Sequence, residues 1–290
     1  MTASIRVRAP ATTANLGPGF DCAGIALDLW NELEVTEGQG VELVGEGADE
    51  LDGGAGHLGL RAYALLAPVE GRRFVFRNRI PLARGLGSSA ATIALGLVAA
   101  SLGLGRRPEV DELLELGIPL EGHADNLAAA LAGGVCLTWE SKPGDRRMAR
   151  VAQDLPLALI AVIPESRVET AAARAALPAE VSHIDAAFSA GRAALLGAGL
   201  ASGAPDLLSE AFADRLHEPY RAPNAPLLEA IRTKLPSAAA GVTLSGSGPT
   251  VIVWAREEEA AACETELVER FPAERVLRLA VSPLGAGPVE

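Results

Sequence analysis

The chain has 290 residues, 49% of them hydrophobic and 4% aromatic, with a formal net charge of −12. That length and apolar content hold two modest domains or one large one, and an acidic chain without a basic run excludes nucleic acid as the main partner while leaving room for a phosphorylated small molecule in a locally basic pocket. No apolar stretch reaches the roughly 20 residues that span a bilayer, the opening MTASIRVRAP lacks the apolar core of a signal peptide, and Cys22, Cys136 and Cys263 have neither metal nor disulfide spacing, so a soluble cytoplasmic protein without membrane partners is expected, its cysteines serving as small buried hydrophobes.

Residues 4–10 alternate and read as an edge strand. Residues 11–21 hold two glycines and a proline, which fits either a plain turn or a loop that builds a site. Strands are expected over 28–35 and 41–44, a helix over 58–66, and a further strand over 73–78. Then comes Pro81-Leu82-Ala83-Arg84-Gly85-Leu86-Gly87-Ser88-Ser89-Ala90-Ala91. Gly85 and Gly87 can take positive φ, Ser88 and Ser89 are good N-cap residues, and the apolar run to Leu102 reads as a buried helix. A glycine loop feeding a helix N-terminus suits an anion such as a nucleotide triphosphate; it also suits an ordinary strand-to-helix turn. The chain has two lysines, Lys142 and Lys234, and neither follows a glycine loop. A Walker A motif is therefore excluded, and ATP here would rely on backbone, arginine and metal.

A second helix starts at Pro108 and runs to Gly117. Glu121-Gly122-His123-Ala124-Asp125-Asn126 enters an apolar helix over 127–131, Gly133-Gly134 ends it, and 135–139 is a strand. Polar and charged residues cluster over 142–154, which divides the chain into domains 1–150 and 151–290. The second half reads as a strand over 157–163, helices over 168–176, 182–200, 205–216 and 225–235, a hairpin-like pair around 243–250 with its outgoing strand at 251–254, a helix over 257–271 and a strand over 276–280. That order suggests a ferredoxin-like layer. His183 and His217 are expected at the surface or as caps, and Trp30, Trp139 and Trp254 in the core.

Three glycine-bearing loops stand out, at 9–21, 81–91 and 243–250, and their order and spacing resemble the three motifs of the GHMP kinases (galactokinase, homoserine kinase, mevalonate kinase and phosphomevalonate kinase) along nearly the whole chain. Within that superfamily, Ala14-Asn15-Leu16-Gly17-Pro18-Gly19-Phe20-Asp21, His123-Ala124-Asp125-Asn126, the segment ending in Arg174, Glu218-Pro219-Tyr220-Arg221 and Ser245-Gly246-Ser247-Gly248-Pro249-Thr250 resemble the homoserine kinase family. The Arg-Gly-Glu core of galactokinase-type first motifs is absent.

The resemblance implies an α+β, two-domain GHMP kinase fold: an N-terminal α/β domain like the second domain of ribosomal protein S5, and a C-terminal ferredoxin-like domain. It implies ATP and Mg²⁺ as cofactors and L-homoserine as substrate, and it leaves a homodimer open. By resemblance, residues 81–91 cradle the phosphates, and Ser88 and Glu115, the latter eight residues before His123, hold Mg²⁺. Arg174 and Arg221 are the candidates to grip the substrate carboxylate. His123, Asp125 and Asn126 bind the amino group and the hydroxyl, with Asn15 and Asp21 completing the pocket. Asp125 and Asn126 are the catalytic candidates, and whether Asp125 is a general base is left to geometry. Arg84 either touches ATP or faces solvent. His57 stands where homoserine kinases carry an asparagine in the nucleotide pocket. Another GHMP kinase, or a nucleotide-binding regulator without catalysis, are the alternative readings.

Overall fold

The computed structural model describes residues 4–289. The first sheet begins with β1 (Ile5–Asn15) and β2 (Gly19–Glu37), a long antiparallel hairpin. Most of the expected loop at 11–21 is therefore strand, because Ala11, Ala14 and Leu16 bury their side chains in the core and leave a tight turn at Leu16–Pro18. β3 (Gly40–Gly45), α1 (Leu58–Ala64) and β4 (Arg72–Asn78) form a crossover with β3 parallel to β4. α2 (Ser88–Gly103), α3 (Val110–Glu121) and α4 (Ala124–Ala132) follow, and then the hairpin of β5 (Val135–Lys142) and β6 (Asp145–Ala152), whose first strand pairs with β2.

Twelve of the 16 residues of α2 are buried, as expected of a helix apolar on every side. It lies against β1, with α1, α3 and α4 packed on its other sides. Gly96 makes this possible: a Cβ there would meet the Gly59 carbonyl oxygen at 2.2 Å. The N-terminus of α2 is thus fixed by packing along the whole helix rather than by its own loop.

The second domain contains β7 (Leu157–Ile163), α5 (Thr170–Ala175), α6 (His183–Ser202), α7 (Pro205–Ala211), α8 (Glu218–Arg221), α9 (Pro226–Thr233), β8 (Ala239–Leu244), β9 (Val251–Arg256), α10 (Ala260–Arg270) and β10 (Arg275–Leu279). Its sheet has the order β10-β7-β9-β8 with every neighbour antiparallel, the ferredoxin-like layer expected from the element order. The tail returns to the first sheet: Val281 bridges to Leu27, and β11 (Gly287–Pro288) pairs with β1.

Three expectations are corrected by burial. Trp139 is 49% exposed on the solvent side of the β5–β6 hairpin, and Trp30 is partly exposed beneath the Arg8 guanidinium, so neither is core. Trp254 is fully buried, stacked on Phe212, with its indole N–H donating to Thr243. His217 stands at the N-cap position of α8, one of its two expected places, but is fully buried rather than at the surface. No helix among the described residues is long and apolar enough to cross a membrane.

Candidate active site

The glycine loop reaches α2 without a side-chain cap. The cap position is Gly87 itself, at φ 65° and ψ 29°, and Ser88 and Ser89 occupy the first helical turn instead of capping it. The N–H groups of that turn have no intrahelical acceptor, so they and the helix dipole present partial positive charge. Both glycines are required by close approach. A Cβ on Gly87 would lie 1.8 Å from Thr12 Oγ1, and one on Gly85 would lie 2.2 Å from the Ser245 carbonyl oxygen. Ala90 and Ala91, assigned to the cradle from sequence, are buried in the body of α2 and do not line the cavity.

The three glycine-bearing loops are bonded to one another. The Ser245 hydroxyl donates to the Gly85 carbonyl at 2.6 Å, the Gly246 N–H to the Ala14 carbonyl at 3.0 Å, and the Asn15 amide to the Gly246 carbonyl at 2.9 Å. The Thr12 hydroxyl donates to Asn126 Oδ1 at 2.7 Å, joining β1 to the start of α4. Asn15, Asp21 and Ala83 all have positive φ, so strained backbone gathers at this junction. Arg84 does not simply face solvent: its guanidinium donates to the Leu82, Pro164 and Glu165 carbonyls and fastens the glycine loop to the end of β7.

A cavity of about 660 Å³ opens where the loops meet. Of the sequence candidates, Asn15, Asp21, residues 81–89, His123, Asp125, Asn126, Arg174 and Arg221 line it. Glu115 does not: it is exposed on α3. The carboxylate facing the phosphate loop is Glu121, whose Oε1 accepts from the Ser89 hydroxyl at 3.0 Å. The sequence reading ends this helix at Gly117, but α3 continues through Pro119 to Glu121. The available signal was periodicity, since Leu114, Gly117 and Glu121 share one helical face and Glu115 is off it. Burial, opposed by the bond from Ser89, pushes the Glu121 carboxyl up to about 7.

Asp125 is buried and accepts the Asn126 backbone N–H at 2.7 Å. Burial above all, with the Asp21 charge adding to it, pushes its carboxyl up to about 6. His123 has its pKa lowered, by burial first and then by Arg174. Arg174 is already paired, with both its terminal nitrogens on the Asp21 carboxylate at 2.8 and 2.7 Å. Arg221 differs. It is 3% exposed, and its bonds go to neutral acceptors, the Ala173 and Gly246 carbonyls and His217 Nδ1. Among the described residues no carboxylate pairs with it, and a buried cation in that state calls for an anion. His57 also lines the cavity, tilted against the Phe76 ring, with its pKa lowered by burial.

The sequence reading did not single out Thr12, Glu50 or Arg167, and it gave His217 no role beyond a surface or capping residue. Arg167 and Glu50 form a bidentate ion pair at the cavity wall. His217 was detectable by its position four residues before Arg221, one helical turn away.

A family model described as the GHMP kinases N terminal domain matches residues 54–134, and one described as GHMP kinases C terminal matches 184–273. A homoserine kinase of Streptomyces coelicolor is 42% identical over 269 residues, 89% of this chain and 86% of that protein. A homoserine kinase of Moorella thermoacetica is 41% identical over 260 residues, 86% of this chain and 87% of that one. The crystal structure of homoserine kinase from Cytophaga hutchinsonii matches with a TM-score of 0.89 at 27% identity, covering 100% of this chain and 98% of that one. A mevalonate kinase structure matches at a TM-score of 0.70 and 18% identity, a likeness of fold.

Proposed function

The chain belongs to the GHMP kinase family, and from that premise we infer that it catalyses the ATP-dependent phosphorylation of L-homoserine to O-phospho-L-homoserine, a step toward threonine. The observation that carries the substrate assignment is the buried, carboxylate-free guanidinium of Arg221 in the same cavity as the uncapped N-terminus of α2. One end of the cavity suits a carboxylate, the other a chain of phosphates.

The residues divide the work accordingly. Backbone N–H groups over residues 85–89 hold phosphate oxygens. Arg221 takes the substrate carboxylate, and the Asp21 carboxylate, held in place by Arg174, faces the ammonium. Asn15, His123 and Asn126 surround the hydroxyl. Asp125, with its carboxyl near 6, is tuned to accept the hydroxyl proton close to neutral pH. Phosphoryl transfer needs little else from the protein beyond position and charge neutralisation.

The donor set fits Mg²⁺. Glu121 and the hydroxyl of Ser88 are two hard oxygen ligands, and Mg²⁺ fills its other positions with water and phosphate oxygens. When bound, the ion neutralises charge on the transferring phosphate. The reading places the enzyme in the cytoplasm, and the free thiols of Cys22, Cys136 and Cys263 support that.

The test is ADP release from Mg·ATP with homoserine, mevalonate, shikimate or galactose as acceptor. Release with homoserine alone is expected. Release with mevalonate and not homoserine overturns the substrate, and no release with any acceptor favours a non-catalytic regulator.

A further inference from the structure

His217 does not line the cavity, yet both nitrogens of its ring are engaged. Nε2 lies 2.8 Å from the Gly17 carbonyl oxygen and 3.7 Å from Asp214 Oδ2. Both are acceptors, so the ring proton sits on Nε2. Nδ1 is then a bare lone pair, and the atom facing it at 3.3 Å is Arg221 Nη1, an obligate donor. Burial, the largest cause, lowers the imidazole pKa to about 4, which keeps the ring neutral beside the guanidinium.

The surroundings hold this tautomer in place. The Asp214 carboxylate accepts the backbone N–H groups of His217 and Glu218 at 2.8 and 2.9 Å. Phe20 stacks on the imidazole with centroids 5.0 Å apart, and its ring lies beneath both Arg221 and Arg174. Gly17 belongs to the β1–β2 turn between Asn15 and Asp21. The ring therefore connects the turn that carries two substrate contacts to the arginine that supplies a third.

We propose that His217 is a positioning residue for substrate selection: its Nδ1 lone pair and its Nε2–H bond to Gly17 lock the Arg221 guanidinium in register with Asn15 and Asp21, so that the pocket selects alcohols carrying an α-amino carboxylate. The inference rests on the assignment of Arg221 to the substrate carboxylate. A long side chain fixed before binding loses less freedom on gripping its ligand. An imidazolium, or a lysine, would set a second positive charge against the guanidinium and offer a donor where an acceptor is needed.

The experiment compares L-homoserine with 3-amino-1-propanol, which keeps the hydroxyl and ammonium and lacks the carboxylate. The second compound is read by KM, or by Ki against homoserine if it is not turned over. His217→Phe keeps the ring and loses both polar contacts. It is expected to raise the KM for homoserine about 10-fold or more, and to cut the preference for homoserine by the same factor. The KM for ATP stays within about twofold. His217→Asn puts an oxygen near the place of Nδ1 and restores most of the preference; His217→Gln keeps only the donor to Gly17 and does not. An unchanged KM in His217→Phe, an equal loss for both compounds, or rescue by Gln rather than Asn overturns the proposal. If the Phe variant does not fold, the Asn and Gln pair decides. Arg221→Gln is the separate check: if it leaves the preference intact, the carboxylate assignment itself fails, whatever His217 does.

Discussion

Replacing Gly87 by alanine tests whether the phosphate loop is held by backbone conformation and close packing together. Gly87 has φ +65°, and an L-residue in the left-handed region costs about 1–2 kcal/mol. The added methyl would lie 1.8 Å from Thr12 Oγ1, about 1.6 Å inside ordinary van der Waals contact, and 3.2 Å from Asn126 Oδ1. Thr12 is not free to yield, because its hydroxyl is bonded to Asn126 at 2.7 Å and its N–H to the Leu86 carbonyl at 3.1 Å. Overpacking of this kind costs about 1–3 kcal/mol. The two effects together give about 2–5 kcal/mol, a fall in Tm of roughly 4–20 °C for a chain of this size. Gly105 is the control: its φ is +69°, and a Cβ there meets nothing within 4 Å. Gly105→Ala should show only the conformational part, about 1–2 kcal/mol. Thermal unfolding and ATP kinetics on both variants decide the matter. Gly87→Ala should also raise the KM for ATP by about 10-fold, since the shifted loop no longer aims the first-turn N–H groups. Equal Tm losses in the two variants, with an unchanged KM for ATP, would refute the packing argument.

Further outcomes follow from the charged residues. Asp125→Asn should lower kcat by about 10²–10⁴-fold while the KM for homoserine stays within a few-fold; a change confined to KM removes the general base. For Glu121, the folded carboxyl, raised to about 7 from 4.5, keeps a proton that the unfolded chain releases, so this site costs stability as pH rises through that window. Glu121→Gln can still accept the Ser89 bond and has no charge to bury. Urea titrations should find it more stable relative to wild type at pH 8 than at pH 5, with loss of Mg·ATP-dependent turnover; the same stability difference at both pH values would contradict the burial argument. Arg84→Ala removes two bonds to carbonyls across the domain junction and one within its own loop and should cost about 2 kcal/mol, or roughly 4–8 °C in Tm. A shift below about 1 °C would mean that this guanidinium is only solvated.

What the sequence determined by itself was whatever depends on short-range chemistry. The glycines at 85 and 87, the apolar run of α2 and the short continuous apolar run at 157–163 specify a glycine loop, a buried helix and a buried strand locally, and the β-β-α-β order of the second half limits its sheet to few arrangements. The missing lysine excluded one nucleotide loop, and the motif order pointed to another. Tertiary structure decided how charges are partnered, because the partners are distant in sequence. Asp21 and Arg174 are 153 residues apart and Arg84 meets Glu165 81 residues on, and no periodicity links them. Two candidate arginines equal in sequence became one paired and one waiting for an anion. Glu121 replaced Glu115 once the face of α3 was fixed against α2, and His217 moved from the surface to the interior because Gly17, 200 residues earlier, supplies the acceptor that makes its burial affordable.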